Sequence, residues 1–388
     1  MGADIKNLRQ EGSRRWVKKG LARLDEESFE SALEAFHRAY ELDPESADAA
    51  RHFAHELYMH GKSEEAEKLV RKSLEKGPDP GLYRILAAIL LDESARIGEV
   101  ELLIEEVRTT CRDERTASII QGHLELERNK PEIAVDLFNK VLDEDPENNT
   151  EASEGLARAL NLIGIDLSEK GANEEAIFTF KKAADLDPWW SAPHVNLGNC
   201  FCALGRNDAA RRAYTRGIRL EPDNQQARFN MGRLLCEEGD LTGAEAEFLE
   251  VLDIDPEYPD ANAELGRIYS LLSRFDLAID KFQRELELNP DSVPCICNLG
   301  IACICSGKQE EGEKYLLKAV ETEEDPFTLY TLAGLYATQD RTSDALAMLE
   351  RAAKTDSPWL AEYLREDDKF ESMNNLPGFK LLLETLSK

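Results

Sequence analysis

The stretch SAPHVNLGNCFCALGRNDAARRAYTRGIRLEPDN, residues 191–224, holds two apolar stripes of helical period on either side of a turn near Gly205. A small residue in each stripe, Gly198 and Ala210, lets two helix backbones approach closely, and the bulky Tyr214 fills the space beside them. Pro222 ends the second helix, because its ring and missing N–H cannot continue the hydrogen-bond ladder. One such hairpin cannot bury both its faces; neighbours stacked beside it can.

The same marks recur in both directions along the chain. Prolines close an acidic stretch at Pro44, Pro78, Pro146, Pro188, Pro222, Pro256 and Pro290, with spacings of 34, 68, 42, 34, 34 and 34 residues. Twelve positions ahead of each stands Ala32, Ala66, Ala134, Ala176, Ala210, Ala244 or Ala278, and twelve earlier again Gly20, Ala54, Gly122, Gly164, Gly198, Gly232 or Gly266. Four residues after each alanine comes Phe36, Val70, Phe138, Phe180, Tyr214, Phe248 or Phe282. A 34-residue unit repeated this closely is the signature of an array of supersecondary modules.

This pattern resembles the tetratricopeptide repeat family over nearly the whole chain. About ten units can be counted: 13–46, 47–80, 81–114, 115–148, 157–190, 191–224, 225–258, 259–292, 293–325 and 326–358. Residues 1–12 form a basic lead-in, and residues 149–156 lengthen the first helix of the fifth unit by about two turns. Residues 359–388 supply capping helices with a polar outer face. The third unit lacks the glycine and the proline and is placed by counting; the ninth has Gly312 where alanine is expected, and the tenth is shifted by one residue. The resemblance implies an all-α fold, a right-handed superhelical solenoid of stacked helix-turn-helix hairpins. It also implies a non-catalytic scaffold or adaptor that binds a partner protein or peptide in a concave groove.

Composition narrows the partners. The 388 residues include 77 Asp and Glu against 47 Lys and Arg, a formal net charge of −30. Phosphate binding is driven by basic residues, so nucleic acid is not expected as a partner. The longest apolar run, Ile85 to Leu91, has seven residues, against about 20 needed to cross a bilayer, so no direct membrane insertion is expected. The N-terminus MGADIKNLRQEGSRRW has no apolar core for a secretion signal, and Lys6 stands where a myristoylation motif wants Ser or Thr. The eight cysteines sit in a long acidic chain, and those of CICNLGIACIC lie on one helix that cannot bring its sulfurs to one zinc ion. They read as small buried thiols in a reducing, cytoplasmic compartment.

Catalytic signatures are missing: no HExxH, GxSxG, CxxC or phosphate-binding GxxxxGK[ST] occurs, and neither a cofactor nor a metal is expected. His52 and His55 share a helix face and could hold a metal with a third ligand, but surface histidines at that spacing occur often by chance. What remains is recognition. The resemblance places exposed inner positions at 2, 5, 6, 9, 12 and 13 of each unit. From the sixth unit to the ninth, position 6 carries Asn196, Asn230, Glu264 and Asn298, and position 9 carries Asn199, Arg233, Arg267 and Ile301. A primary amide both donates and accepts, so an asparagine ladder can hold the backbone of an extended peptide without reading its sequence. Arg233 and Arg267 would then hold acidic groups. Alternatively these side chains only solvate the groove, with Arg267 paired to Glu264 one turn earlier. The carboxylate clamp of chaperone-binding family members does not carry over, since Val195, Asp260 and Glu264 occupy its basic positions.

Two features of the first half stay open. Leu82, Leu86, Ile89 and Ile120, with Ile85 and Ile119, either line an apolar groove for a partner helix or belong to the core of a mis-registered third unit. The basic segment Lys6, Arg9, Arg14, Arg15, Lys18, Lys19 and Arg23, against only Asp4 and Glu11, either meets another subunit or an acidic partner or is a solvated first helix. Self-association through the terminal faces, or service as the regulatory subunit of an enzyme on a separate chain, are the alternatives to an adaptor.

Overall fold

The computed structural model describes residues 2–26, 28–145, 149–355 and 357–386, with backbone only at residues 2–6 and 94. Pro146 and the side chains of Asp4 and Lys6 thus lie outside the described residues. The chain divides into two compact units, Met1–Leu204 and Gly205–Lys388. Every regular element among the described residues is helical.

The first unit holds α1 (Gly2–Asp25), α2 (Phe29–Leu42), α3 (Ala47–Met59), α4 (Ser63–Leu74), α5 (Pro80–Leu91), α6 (Ile97–Glu106), α7 (Glu114–Glu127), α8 (Pro131–Glu144), α9 (Thr150–Glu169), α10 (Asn173–Leu186) and α11 (Ala192–Ala203). The second holds α12 (Asn207–Leu220), α13 (Gln225–Glu238), α14 (Leu241–Ile254), α15 (Ala261–Leu271), α16 (Phe275–Leu288), α17 (Val293–Cys305), α18 (Gln309–Thr322), α19 (Pro326–Thr338), α20 (Thr342–Ala352), α21 (Leu360–Glu366) and α22 (Pro377–Leu386). Within each unit consecutive helices pack into hairpins, and the hairpins stack.

Local chemistry sets the helix ends. The residues before the closing prolines, Asp43, Asp187, Glu221, Asp255 and Asn289, have φ from −128° to −138° and ψ from 80° to 101°. Proline drives its predecessor out of the helical region, so each helix stops there. First helices are opened by side-chain caps: Ser46, Asp79, Asn224 and Asp325 accept the N–H of Ala49, Leu82, Ala227 and Thr328 at 2.7–3.2 Å. The turn inside a hairpin needs a left-handed residue. Gly61, Gly171, Gly205, Gly239 and Gly307 supply it at φ of 68° to 87°, and at the equivalent places Asn129, Ser273 and Asp340 adopt it at 56° to 59°.

Gly20, Gly122, Gly164, Gly232 and Gly266 each lie against the phenylalanine ring sixteen residues later. A Cβ on any of them would fall 2.4–2.9 Å from a carbon of Phe36, Phe138, Phe180, Phe248 or Phe282. All five rings are almost fully buried, so these contacts fix how closely the two helices of a hairpin approach. Where Ala54 replaces the glycine, the smaller Val70 replaces the ring, and where Gly300 stands, Leu316 faces it. The volume at the contact is conserved by exchange on both sides.

The third hairpin departs from this plan. A 3₁₀ turn at Ser94–Arg96 leads into α6, which ends in a π-helical turn at Val107–Cys111 and a left-handed Arg112. Ion pairs stiffen this region: Arg96 holds Glu67 at 2.6 Å and Glu99 at 2.8 Å, and Arg71 holds the same two carboxylates at 2.7 Å. Hydrogen bonds from Arg96, then from Arg71, hold the Glu67 carboxyl down near 2. The α5 helix is enclosed on several sides. Leu82, Leu86, Ile89 and Ile120 are only 1–2% exposed, inside a core shared with Ala50, Val70, Val100 and Leu124, and Ile119 is buried as well. The apolar groove is therefore corrected: Leu82, Leu86, Ile89, Ile119 and Ile120 are core, enclosed by packing among neighbouring hairpins, and Ile85 is half-buried against that core.

The α9 helix runs 20 residues from Thr150, against 14 for α7 and 12 for α11. At the other end of the chain, α21, a 3₁₀ turn at Asp368–Met373 and α22 insert Leu360, Phe370, Met373, Phe379 and Leu382 into the core of Leu329, Leu332 and Leu349. All eight cysteines are free. Burial pushes the Cys303 thiol up to about 11 and that of Cys295 up to about 12, as expected of small apolar fillers. Four depart from the buried-thiol expectation: Cys111, Cys202 and Cys236 are half-buried and Cys305 is exposed.

Candidate functional site

Because the first helix of a hairpin buries its small residue and its leucine inward, the residues two before and one after the small residue fall on its other face. Asn196 and Asn199 lie on α11 of the first unit, both half-buried. Asn196 Nδ2 donates to Oδ1 of the buried Asn161 on α9 at 2.9 Å, so one amide proton is already committed within the protein.

The other candidates lie in the second unit. Asn230 on α13 and Asn298 on α17 are half-buried, and Arg233 on α13 is exposed. Among the described residues, neither Arg233 nor Asn298 has a side-chain hydrogen-bond or ion-pair partner. On α15 the guanidinium of Arg267 donates to both carboxylate oxygens of Glu264, at 3.1 and 3.0 Å. Arg267 is 58% exposed, and a pair so open to water contributes at most about 1 kcal/mol. Both charges also act on Cys236 of α13, whose thiol is pushed up mainly by burial, raised further by Glu264 and lowered by Arg267. These candidates fall on α13, α15 and α17, and Glu264 and Arg267 already pair with each other.

A cavity of about 450 Å³ at the C-terminal end of the second unit escaped the sequence reading. Its walls are Ile301 of α17, Phe327, Tyr330, Thr331 and Gly334 of α19, and Tyr363 and Glu366 of α21, with Asp367 and Lys369 beyond. Counted from Pro326, the α19 residues occupy positions 2, 5, 6 and 9, the same inner positions as the asparagines and arginines. Carrying the count one unit further would have found that wall; the α21 wall has no repeat period to reveal it. The Tyr330 hydroxyl donates to Asp367 at 2.5 Å, and Lys369 Nζ lies 3.3 Å from the same carboxylate. Burial works against the Asp367 charge, yet bonds from Tyr330 and the Lys369 N–H hold its carboxyl below the usual range.

Elsewhere, His52 stacks on Phe36 at 5.1 Å and His55 contacts Glu56 at 3.1 Å. Among the described residues no group of three or more His, Cys, Asp or Glu is placed to hold a metal ion. None of their helices is long and apolar enough to cross a membrane. On α1 the buried Ser13 and Val17 face α2, while Arg9, Arg14, Arg15, Lys18 and Lys19 are exposed, with Lys19 Nζ 4.4 Å from the centre of the Trp16 ring.

Tetratricopeptide repeat models match residues 23–90, 196–259 and 263–293. The chain is 23% identical to the human antiviral innate immune response effector IFIT1 over 211 residues, which is 49% of this chain and 44% of that one. It is 28% identical to human protein O-mannosyl-transferase TMTC3 over 188 residues, 45% of this chain and 20% of that one. The chain thus spans less than half the length of these curated relatives. Among solved structures, the crystal structure of MamA is similar at 24% identity and a TM-score of 0.40, covering 42% of this chain and 95% of that one. With matches in both compact units, and with glycine, alanine and ring recurring at their fixed places in the stacked hairpins, the chain belongs to the tetratricopeptide repeat family.

Proposed function

We propose that the chain is a non-catalytic adaptor that binds an extended segment of a partner protein along α13, α15 and α17 of its second unit. Tetratricopeptide repeats make it a protein-interaction scaffold at the coarser level; the finer claim is where and how the partner is held. The observation that carries it is the pair of polar side chains without a hydrogen-bond or ion-pair partner among the described residues, Arg233 and Asn298, at inner positions on either side of the self-paired Glu264 and Arg267. Asn230 and Asn298 would hold ligand backbone N–H and C=O groups, and Arg233 a ligand carboxylate. Glu264 interrupts the ladder and engages Arg267, which makes Arg267 a weaker anion site than Arg233. Neighbouring helices pack about 8–10 Å apart and an extended chain advances about 3.3 Å per residue, so each repeat faces roughly three ligand residues. Asn230 and Asn298 are then about six ligand residues apart.

A peptide-array screen of the full chain tests this. The Asn230→Ala, Arg233→Ala double variant should weaken binding to the wild-type ligands by about 30-fold or more, as expected for losing one neutral and one charge-assisted hydrogen bond. Unchanged binding to every wild-type ligand rejects this surface as the site.

A further inference from the structure

We infer that the cavity between α17, α19 and α21 is a pocket for one Lys or Arg side chain of the bound segment, a specificity element resting on the adaptor reading above. Three observations bear on its occupant. First, the cavity of about 450 Å³ falls within the ~300–1,000 Å³ range of sites that enclose a small group, and its walls are largely apolar and aromatic. Phe327 and Tyr363 border it while 48% and 51% exposed, both packing on Trp359, so part of each ring is open to an occupant. Second, the floor is kept open by Gly334, where a Cβ would come within 3.3 Å of the Lys369 side chain.

Third, the uncompensated charge of the cavity is negative. Lys369 is neutralised by Asp367, whereas Glu366 has no hydrogen-bond or ion-pair partner among the described residues. An acidic occupant would meet Glu366 with no uncommitted cation to offset it. An apolar occupant would cover that carboxylate without giving it a partner, which costs free energy. A long cationic side chain satisfies all three features: its stem lies on Ile301 and the rings, its head meets aromatic faces and the Glu366 carboxylate. Exposed Glu362, Asp368 and Glu371 lie within five residues of Glu366 along the chain and add negative charge to this segment, which favours approach of a cation. With Arg233 three repeats away, the ligand would carry an acidic group and a basic one about nine residues apart, which fixes its direction along the groove.

The probe is N-acetyl-arginine methylamide, titrated onto the full chain and read by saturation-transfer NMR, with N-acetyl-norleucine methylamide as the uncharged comparison. The arginine probe should bind with a roughly millimolar Kd. Glu366→Gln, a change at an exposed position that leaves folding alone, should weaken it at least threefold, and Tyr363→Ala should do the same. Glu384→Gln, which removes an acid elsewhere on the second unit, should leave it unchanged. Equal binding of the norleucine probe overturns the inference in favour of an apolar anchor. Loss of no affinity in Glu366→Gln, or equal loss in Glu384→Gln, overturns it in favour of diffuse attraction to an acidic surface, and no binding at 20 mM overturns it outright. Because the probe is too short to reach α13, the Asn230→Ala, Arg233→Ala variant should bind it normally. Failure of the pocket and failure of the groove are therefore read separately.

Discussion

At the scale of single residues, close contacts were legible where both partners sit inside one hairpin. The spacing of Gly266 and Phe282 announces a helix contact because a missing side chain and a ring sixteen residues on have one way to fit. Partners in a neighbouring hairpin leave no such trace: nothing in the sequence says that Asn196 donates to Asn161. The same holds for His123 on α7. Burial, and behind it Arg158, lowers its pKa from 6.5 to about 4, although Glu151 Oε1 lies 4.0 Å away and is itself held by Arg84 at 2.7 Å. Between pH 6.5 and 4 the unfolded chain therefore takes up a proton that folded His123 refuses, so this contribution to stability is complete above pH 6.5 and lost as pH falls. Glu151, whose pKa burial raises, acts in the opposite sense and softens the loss only at the acid end of that window. Replacing the imidazole by an amide, His123→Gln, should remove about 2 kcal/mol of the destabilisation seen between pH 7 and pH 5 in urea unfolding. Parallel pH curves for variant and wild type would show that His123 does not titrate this way.

At the scale of elements, the helices and their ends follow from proline, glycine and caps, all read from local sequence. Whether an apolar stripe is covered does not. The α5 helix buries seven of its twelve residues, so it has no single inward stripe, and counting positions cannot tell a groove from a core that neighbouring hairpins enclose. This is why Leu82, Leu86, Ile89 and Ile120 suited a partner groove on paper and are core in the fold. The turns offer a cleaner case. Ser273 between α15 and α16 sits at φ 58° where five equivalent turns use glycine. A left-handed conformation costs a side chain about 1–2 kcal/mol, and glycine gives back about 0.5–1 kcal/mol in unfolded-state entropy. Ser273→Gly should therefore stabilise the chain by about 0.5–1 kcal/mol in urea unfolding. A lower midpoint would mean that the serine side chain supports the turn in a way its contacts do not reveal.

At the scale of the whole molecule, two compact units of stacked hairpins carry a net charge of −30, yet the second unit presents unpartnered groups of both signs at its candidate sites: Arg233 on α13 and Glu366 on the capping helix α21. The repeat period made the first of these visible. The second depends on where the non-repeating cap folds back, which the period does not encode. The central claim is that amides of the second unit grip the main chain of a partner segment. It is tested most directly by taking the strongest array peptide and methylating its backbone N–H groups one at a time, with affinity measured by isothermal titration against the full chain. Methylation removes the donor that an asparagine Oδ1 accepts. The account predicts about tenfold losses at two positions roughly six residues apart, facing Asn230 and Asn298, and small changes elsewhere. Full affinity after methylation at every position would contradict it.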